Sequence, residues 1–405
     1  MTKPKSKTKP LKSSQSNESK LISLPAAPKK RKIILDKGQS PGDILVFTTV
    51  LRDLIKQYPD WDIDVRSCCM EIFENNPYLT PLAEGAPGVE YHVVQYDTPP
   101  GVHQSGNSGM HFSNAYYVDL EKRLGVKIEQ TELLPEIYLS QDEKNWVNQV
   151  KEDKTFGYKG KFWLINAGNK NDYTLKQWGF DNWQQLVNLL KGLVQFVQVG
   201  EYKEDGSHFH PKLRGVLSLV GQTNLRELIR LAYHAEGTVT PVSFLMHLSA
   251  AFRKPCVVLA GGREPPRWEY YPNHQYMSTN GMLSCCAYDG CWLDGRIKDE
   301  NGKQENVTCK NLVGSSVSIS KGPMDIAHSR CMAMIEPLDV SKRVMGYVIN
   351  NMPLHSKIHY EIIELERERK VLENKNKQLQ TKKDLSKIES LKILIKNLED
   401  KREKL

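Results

Sequence analysis

The chain of 405 residues has no long apolar segment. It contains no run of about 18 apolar residues, so no membrane-spanning helix is expected. Its first thirty residues are rich in Lys and Ser and contain no apolar core, which argues against a secretory signal. The eight cysteines could suggest a disulfide protein, but five of them crowd between residues 285 and 331. This distribution fits a reduced, cytoplasmic protein with a local metal site better than a disulfide framework.

The body of the chain carries no positive net charge. The formal charge of +8 comes from the ends, with +9 on residues 1–32 and +4 on residues 355–405, which leaves −5 for the body. A nucleic-acid-binding core is therefore not expected. Residues 1–31 form a low-complexity basic tail that we expect to be disordered. The run Pro28–Lys32 resembles a nuclear localisation signal, although a flexible solubilising arm is the commoner use of such a stretch.

Between the ends, short apolar strands alternate with amphipathic helices, which predicts an α/β fold with parallel sheets. The pattern begins at Ile33–Leu35 and starts again at Phe162–Ile165. We therefore expect two Rossmann-like domains, residues 32–155 and residues 156–352.

The C-terminal residues 355–405 have a different pattern. They hold two Leu/Ile seams that do not share one heptad register, which predicts either a helical hairpin or a broken coiled coil. Such a segment could serve self-association or docking, and a solvated helix without a partner fits the pattern equally well.

Two polar turns are each followed by a helix-forming segment. One is Ser40–Arg52 and the other is Ser243–Pro255, each after a strand candidate. Free N–H groups and the helix dipole favour negative charge at a helix N-terminus. Two such turns facing each other across a cleft would suit an anionic ligand.

Four motifs in this order resemble those of glycosyltransferase family 9, the heptosyltransferase-like family, over roughly residues 32–350. The motifs are Gly42-Asp43 with Thr48–Arg52, Asn166–Gly168 with Lys176–Trp178 and Trp183, Gly221–Leu228, and Met246–Ala251 with Lys254-Pro255. The resemblance implies two facing Rossmann-like domains of the GT-B type, with a nucleotide-sugar donor mainly on the second domain.

Inverting sugar transfer needs a carboxylate that takes a proton from the acceptor hydroxyl, and cations or N–H dipoles for the leaving diphosphate. By resemblance Asp43 is the base, although a helix cap is the commonest role of an Asp at a helix start. Lys176, Ser243 and His247 are the candidate diphosphate partners. The ordinary alternatives are a surface position for Lys176 and a satisfied core position for His247. No catalytic divalent metal is expected.

Three further residues are candidates for the donor site. Thr174 could bind the same phosphate as Lys176 or serve as a turn hydroxyl. Glu201 is placed like a family residue that contacts the donor nucleoside, and an exposed loop position is its alternative. Arg263 follows a strand, where ligands bind in open α/β sheets, or it makes a salt bridge within its loop.

The chain departs from the family pattern just before the Met-His pair. The family commonly has Asp-x-Gly there, and this chain has Val242-Ser243-Phe244. Thr240–Ser243 and Gly261–Pro266 instead resemble a subgroup that includes bacterial autotransporter heptosyltransferases. The departure leaves donor identity open, and with it a non-catalytic scaffold or assembly role as the alternative function.

The clustered cysteines agree with that subgroup. Residues 284–332 form a cysteine-rich insertion with little apolar core of its own. Four thiolates in this insertion suit a tetrahedral structural metal site. The expected ligands of a structural iron or zinc ion are Cys286, Cys291, Cys309 and Cys331. By resemblance the ion is iron, but thiolates alone do not separate iron from zinc, and Cys285 could replace its neighbour. The remaining Cys68, Cys69 and Cys256 are expected in the core.

The sequence thus predicts an inverting glycosyltransferase that moves a heptose-like sugar from an ADP- or UDP-sugar to a hydroxyl of a glycan or protein. Its C-terminal helices could join copies of the chain.

Overall fold

The fold is described from a computed structural model. The described residues are 30–96, 109–145, 150, 160–170, 176–204, 208–284, 295–298, 304–307, 312–313, 328–350, 354–379 and 382–404.

The first lobe is built on a parallel sheet of three strands in the order β2-β1-β3. Its elements are β1 (Lys32–Lys37), α1 (Pro41–Gln57), β2 (Asp62–Ser67), a 3-10 turn (Met70–Ile72), β3 (Val89–Val93), α2 (Phe112–Leu124) and α3 (Gln141–Asn145). The apolar run in β1 is fully buried because helices and loops cover both faces of a parallel sheet. Helix α2 ends at Gly125, whose φ of 67° lies in the left-handed region that favours glycine.

The second lobe contains a parallel sheet of six strands in the order β11-β10-β9-β4-β6-β8. Its strands are β4 (Trp163–Ile165), β6 (Phe196–Gln198), β8 (Leu217–Ser218), β9 (Gly237–Pro241), β10 (Cys256–Gly261) and β11 (His274–Ser278). Chain order places β6 and β8 on one side of β4, and β9, β10 and β11 on the other. The order therefore reverses between β4 and β9, and ligands of open α/β sheets bind in the crevice at the carboxyl ends of strands beside such a reversal.

Helices and small antiparallel pairs complete this part of the chain. The helices are α4 (Phe180–Leu189), α5 (Leu225–His234), α6 (Phe244–Ala251), α7 (Pro266–Glu269), α8 (Arg330–Ala333) and α9 (Pro337–Asn350). The paired strands are β5 (Asn169–Lys170) with β7 (His208–Phe209), β12 (Gly295–Lys298) with β13 (Gln304–Val307), and β14 (Leu312–Val313) with β15 (His328–Ser329).

The C-terminal segment is helical, as the sequence predicts. It consists of α10 (Leu354–Leu379) and α11 (Lys382–Glu403). Ile358 and Ile362 of α10 form a small apolar cluster with Ile395 of α11. Because residues early in α10 meet a residue late in α11, the two helices run antiparallel.

The two lobes share apolar contacts. One core cluster joins β1 and α1 of the first lobe to side chains of β4, α5 and α6 in the second. Helix α1 packs directly on helix α6, so the first turns of the two predicted anion-binding helices lie side by side. None of the helices in the described ranges is long and apolar enough to cross a membrane.

One local prediction was wrong. Cys68 is exposed rather than in the core, since it follows β2 at the edge of the lobe, where its thiol lies 3.3 Å from the carbonyl oxygen of Gln39. Cys256 is buried in β10 as expected, and Cys69 is half-buried.

Candidate functional site

Asp43 lies in the first turn of α1. Ser40 caps this helix, and its hydroxyl donates to Oδ2 of Asp43 at 2.7 Å, while its backbone N–H lies 3.3 Å from the same oxygen. The hydroxyl of Tyr116 on α2 donates to the backbone carbonyl of Asp43 at 2.9 Å. These contacts fix the half-buried carboxylate at the helix N-terminus, where the dipole favours an anion.

The first turn of α6 stands directly against this turn of α1. An alanine Cβ at Gly42 would lie 3.3 Å from Cδ2 of His247 and 3.8 Å from Cα of Phe244. Glycine at position 42 therefore permits the close approach of the two helix starts. The side chain of Phe244 is partly buried against the apolar cluster shared by the lobes.

His247 is buried between the lobes. Its Nδ1 lies 2.8 Å from the hydroxyl of Tyr271, and its Nε2 lies 3.7 Å from Oε2 of Glu269. Burial holds the pKa of His247 well below its ordinary value, and the positive fields of His111 and Lys176 act in the same direction. The imidazole is therefore neutral near pH 7 and acts as a hydrogen-bonding group rather than as a cation.

The predicted phosphate-binding cations meet at the crevice between β4 and β9. Lys176 donates to the carbonyl of Val242 at 3.2 Å, and its Nζ lies 3.0 Å from Oε1 of Glu264. Arg263 Nε lies 3.3 Å from the same oxygen. Ser243 is the N-cap residue of α6 and follows Val242, and its hydroxyl lies 2.8 Å from Oγ1 of Thr240. The structure thus brings Lys176, Ser243 and Arg263 into one cluster.

Glu269 is a member of this cluster that the sequence analysis did not select. It ends helix α7 and is almost completely buried. Burial raises its pKa well above the ordinary value of 4.5, and the charge of Glu264 adds to the shift, while Lys176 opposes it. The field of Asp43 also raises this pKa, so Glu269 lies within electrostatic reach of the predicted base and of the predicted phosphate ligand. No sequence pattern marks it, because its burial comes from tertiary packing.

Glu201 lies apart from these contacts. It follows β6 on a loop, its side chain is exposed, and its ion pairs in the described part of the chain are with Lys203 at 3.3 Å and His208 at 3.4 Å. The neighbouring His210 Nε2 donates to the carbonyl of Glu201 at 2.8 Å. This geometry leaves its predicted nucleoside role open.

A notch of two glycines lies next to Glu201. Alanine Cβ atoms at Gly168 and Gly200 would lie 1.9 Å and 1.8 Å from Cε1 of His210, so the imidazole is wedged against bare backbone at the ends of β4 and β6. Burial lowers the pKa of His210. The notch is a second feature that the sequence did not reveal, because it depends on which residue the β5–β7 pair presents.

Four predicted residues lie outside the described residues: Thr174, Cys286, Cys291 and Cys309. The fourth predicted metal ligand, Cys331, is buried at the start of α8, where its thiol donates to the hydroxyl of Ser329 at 3.2 Å. In the described ranges no group of three or more His, Cys, Asp or Glu side chains is placed to hold a metal ion.

Comparison with known proteins agrees with the motifs. Residues 117–288 match the family model described as glycosyltransferase family 9 (heptosyltransferase). This match confirms the resemblance and the prediction of a glycosyltransferase. No curated protein shows a significant match to the chain.

Solved structures share the fold at low identity. The chain is 15% identical to TibC, an iron-containing dodecameric glycosyltransferase from enterotoxigenic E. coli H10407, over 80% of this chain and 81% of that one, with a TM-score of 0.55. For TibC in complex with ADP-D-beta-D-heptose the identity is 15%, the coverage 80% and 77%, and the TM-score 0.51. A family 9 glycosyltransferase from Veillonella parvula DSM 2008 is 13% identical over 79% of this chain and 98% of that one, with a TM-score of 0.50. The shared feature is an α/β fold with parallel sheets, like that of the GT-B heptosyltransferases.

Proposed function

Because the chain carries a glycosyltransferase family 9 domain, we propose that it is an inverting enzyme that moves a heptose-like sugar from a nucleotide donor to a hydroxyl group. The observation that supports this proposal most directly is the contact between two helix starts. Asp43 lies in the first turn of α1, beside the first turn of α6, and Lys176 donates to the carbonyl of Val242, two residues before α6. A carboxylate on one lobe and a cation on the other would thus flank one crevice.

The proposed chemistry follows from these positions. Asp43 takes the proton of the acceptor hydroxyl as its oxygen attacks C1 of the sugar from the side opposite the leaving group. The bond between C1 and the diphosphate oxygen breaks, and the electron pair leaves with the diphosphate. Lys176, Arg263 and the N–H groups after Ser243 stabilise that negative charge, which removes the need for a divalent cation at this position.

Lys176 and Arg263 form a cationic rim of the crevice, and the negative charge of Glu264 weakens it. Oε1 of Glu264 contacts both Lys176 and Arg263, so a bound diphosphate must share these two cations with Glu264 or displace its carboxylate from them. His247 is neutral and buried, and it can donate one hydrogen bond to a phosphate or ribose oxygen. The donor is proposed to be of the ADP-heptose type, the ligand class of the TibC complex.

Two further parts belong to the proposal. Residues 32–155 and 156–352 would be the acceptor-side and donor-side domains. Cys286, Cys291, Cys309 and Cys331 would hold a structural iron or zinc ion, because four thiolates form a tetrahedral donor set that suits either metal. Because the buried thiol of Cys331 lies next to β10, a metal bound there would connect the insertion of residues 284–332 to the donor-side sheet. The helical pair α10–α11 would join copies of the chain.

Substitution of the base tests the function. We expect Asp43→Asn to reduce transfer from ADP-heptose by at least about a hundredfold, a typical contribution of general base catalysis. Binding of ADP, measured by calorimetry, should change less than threefold, because the cationic rim is intact. The matched control is Asp142→Asn in the exposed first turn of α3. Full turnover by Asp43→Asn would exclude the base role, and a wild-type chain that binds no nucleotide or nucleotide sugar would favour a non-catalytic scaffold.

A further inference from the structure

Two buried carboxylate oxygens at the crevice have no hydrogen-bond partner among the described residues. They are Oε2 of Glu264 and Oε2 of Glu269. The two residues are only 5% and 6% exposed, so water cannot reach these atoms freely. A buried acceptor without a donor is costly, and native proteins seldom retain one without a reason. The oxygen of Glu264 therefore calls for a ligand that donates a hydrogen bond, and the oxygen of Glu269 calls for a hydrogen-bonding group such as a hydroxyl, which can donate or accept.

The position of the two oxygens limits what that ligand can be. Glu264 reaches Lys176 and Arg263 with its other oxygen, at 3.0 Å and 3.3 Å. The charges of Lys176 and Asp43 both act on Glu269, whose Oε2 lies 3.7 Å from Nε2 of His247. In the proposed reaction the diphosphate binds Lys176 and the acceptor hydroxyl binds Asp43. The group that lies between them is the sugar whose C1 is transferred.

The chemistry of the ligand classes supports the same assignment. A diphosphate offers only acceptor oxygens and is repelled by a carboxylate, so it cannot satisfy the unpartnered oxygen of Glu264. A pyranose ring carries several O–H donors on a compact body. Sugar hydroxyls can donate to the carboxylate of Glu264, and they can donate to or accept from Glu269, whose raised pKa favours the neutral carboxyl group. These bonds report the configuration of each ring carbon because the hydroxyl must point at a fixed oxygen.

We propose that Glu264 and Glu269 form the subsite that recognises the hydroxyl groups of the transferred sugar. This inference rests on the proposed function and identifies what selects the sugar. Each glutamate offers its unpartnered oxygen to a hydroxyl of the ring, next to the diphosphate-binding cations. His247, 3.7 Å from Glu269, limits how far that carboxyl group can turn.

The difference between a nucleotide and its sugar conjugate tests the subsite. We would measure binding of ADP, ADP-D-beta-D-heptose, ADP-glucose, UDP and UDP-glucose by calorimetry, and take the ratio of affinities for the conjugate over the bare nucleotide. Glu269→Gln should reduce this ratio about tenfold or more, the usual effect of losing a hydrogen bond to a charged or buried partner. Its affinity for bare nucleotide should stay within about threefold of wild type. The control Glu236→Gln, a half-exposed residue paired with Lys161 at 3.8 Å, should change neither quantity.

Glu264→Gln has a different expected profile. It also removes the negative charge between Lys176 and Arg263, so bare nucleotide should bind more tightly while the ratio still falls. Binding of bare nucleotide shows that each variant is folded at the site. Should either variant fail to fold, the wild-type chain with deoxy-sugar donors gives the same information, because loss of the recognised hydroxyl should cost a similar factor.

The outcomes separate the two proposals. A wild-type chain that binds none of the five compounds contradicts the proposed function. A wild-type chain that binds a conjugate, with unchanged ratios in both Gln variants or an equal loss for conjugate and bare nucleotide, overturns the subsite alone.

Discussion

Removal of the Arg226 side chain should loosen the junction between the lobes. This residue on α5 is 7% exposed and donates in several directions. Its Nε and Nη2 bind the two oxygens of Glu143 at 2.6 Å and 2.7 Å, and its Nη1 donates to the carbonyl of Glu71 at 2.9 Å. A further bond reaches the carbonyl of Tyr138 at 2.7 Å. One guanidinium thus holds the turn after β2 and the segment before α3 onto the second lobe.

The magnitude follows from the groups that would lose their partner. Arg226→Ala leaves the mostly buried carboxylate of Glu143 without its bidentate cation and two carbonyls without a donor. Breaking a buried pair costs about 3–5 kcal/mol, and partial access of water to Glu143 places the expected loss at about 3 kcal/mol. Arg226→Lys should fall between wild type and Ala, since an ammonium cannot bind a carboxylate in the same bidentate way.

The assay is denaturant unfolding at several pH values. Burial raises the pKa of Glu143, but hydrogen bonds from Arg226 and Ser140 outweigh it and hold the pKa below 4.5. Because folding lowers the pKa of Glu143, its pair with Arg226 stabilises the folded state fully above about pH 4.5. This contribution is lost as the pH falls below that value and Glu143 is protonated. Arg226→Ala should therefore lose stability at pH 7 and much less at pH 3. The control Lys127→Ala, whose exposed ammonium lies 2.9 Å from Glu121, should cost under about 1 kcal/mol. Equal losses for the two variants would refute the reasoning.

Two further perturbations test the helix contact and the metal. Gly42→Ala should reduce transfer at least tenfold, because its Cβ would press on His247, which is held by Tyr271. The control Gly38→Ala places its Cβ where no atom lies within 4 Å, so it should not change transfer. Equal activities of the two variants would contradict the close approach of the two helices. Elemental analysis of purified protein should find about one iron or zinc per chain, and Cys331→Ser should lower that content and the midpoint of thermal unfolding. If freshly purified wild-type protein contains neither iron nor zinc, the structural metal site must be removed from the proposal.

Much of the fold could be predicted because its strands are short apolar runs. Ile33–Leu35 and Cys256–Leu259 are buried on both faces, and such runs are typical of parallel strands. Prediction failed where local composition and tertiary position disagree. The thiol of Cys68 belongs to a residue type that is usually buried, yet its place after β2 exposes it.

The candidate site was predictable only in part for the same reason. Asp43, Lys176 and His247 stand in motifs, so their residue type and order in the chain carry the information. Glu269 carries none, because a glutamate in a short helix is ordinarily solvated. Its burial and raised pKa arise only from the packing of α7 in the folded chain. Groups of this kind are visible only after the lobes have been assembled.

The geometry of Asp43 finally explains why asparagine is the informative substitution there. The sequence is consistent with two roles for this residue, a helix cap and a catalytic base. The contacts with Ser40 are compatible with both roles. Both contacts from Ser40 end on Oδ2 of the carboxylate. Asparagine can still accept the capping bonds through its carbonyl oxygen but cannot take a proton at neutral pH.

Alanine would remove both roles at once and cost about 0.5–2 kcal/mol of helix stability in addition. We therefore expect Asp43→Asn to unfold at the wild-type denaturant concentration and Asp43→Ala at a lower one, with transfer lost in both. Transfer that survives in the Asn variant and disappears in the Ala variant would mean that the cap, and not proton transfer, is what the reaction requires of this residue.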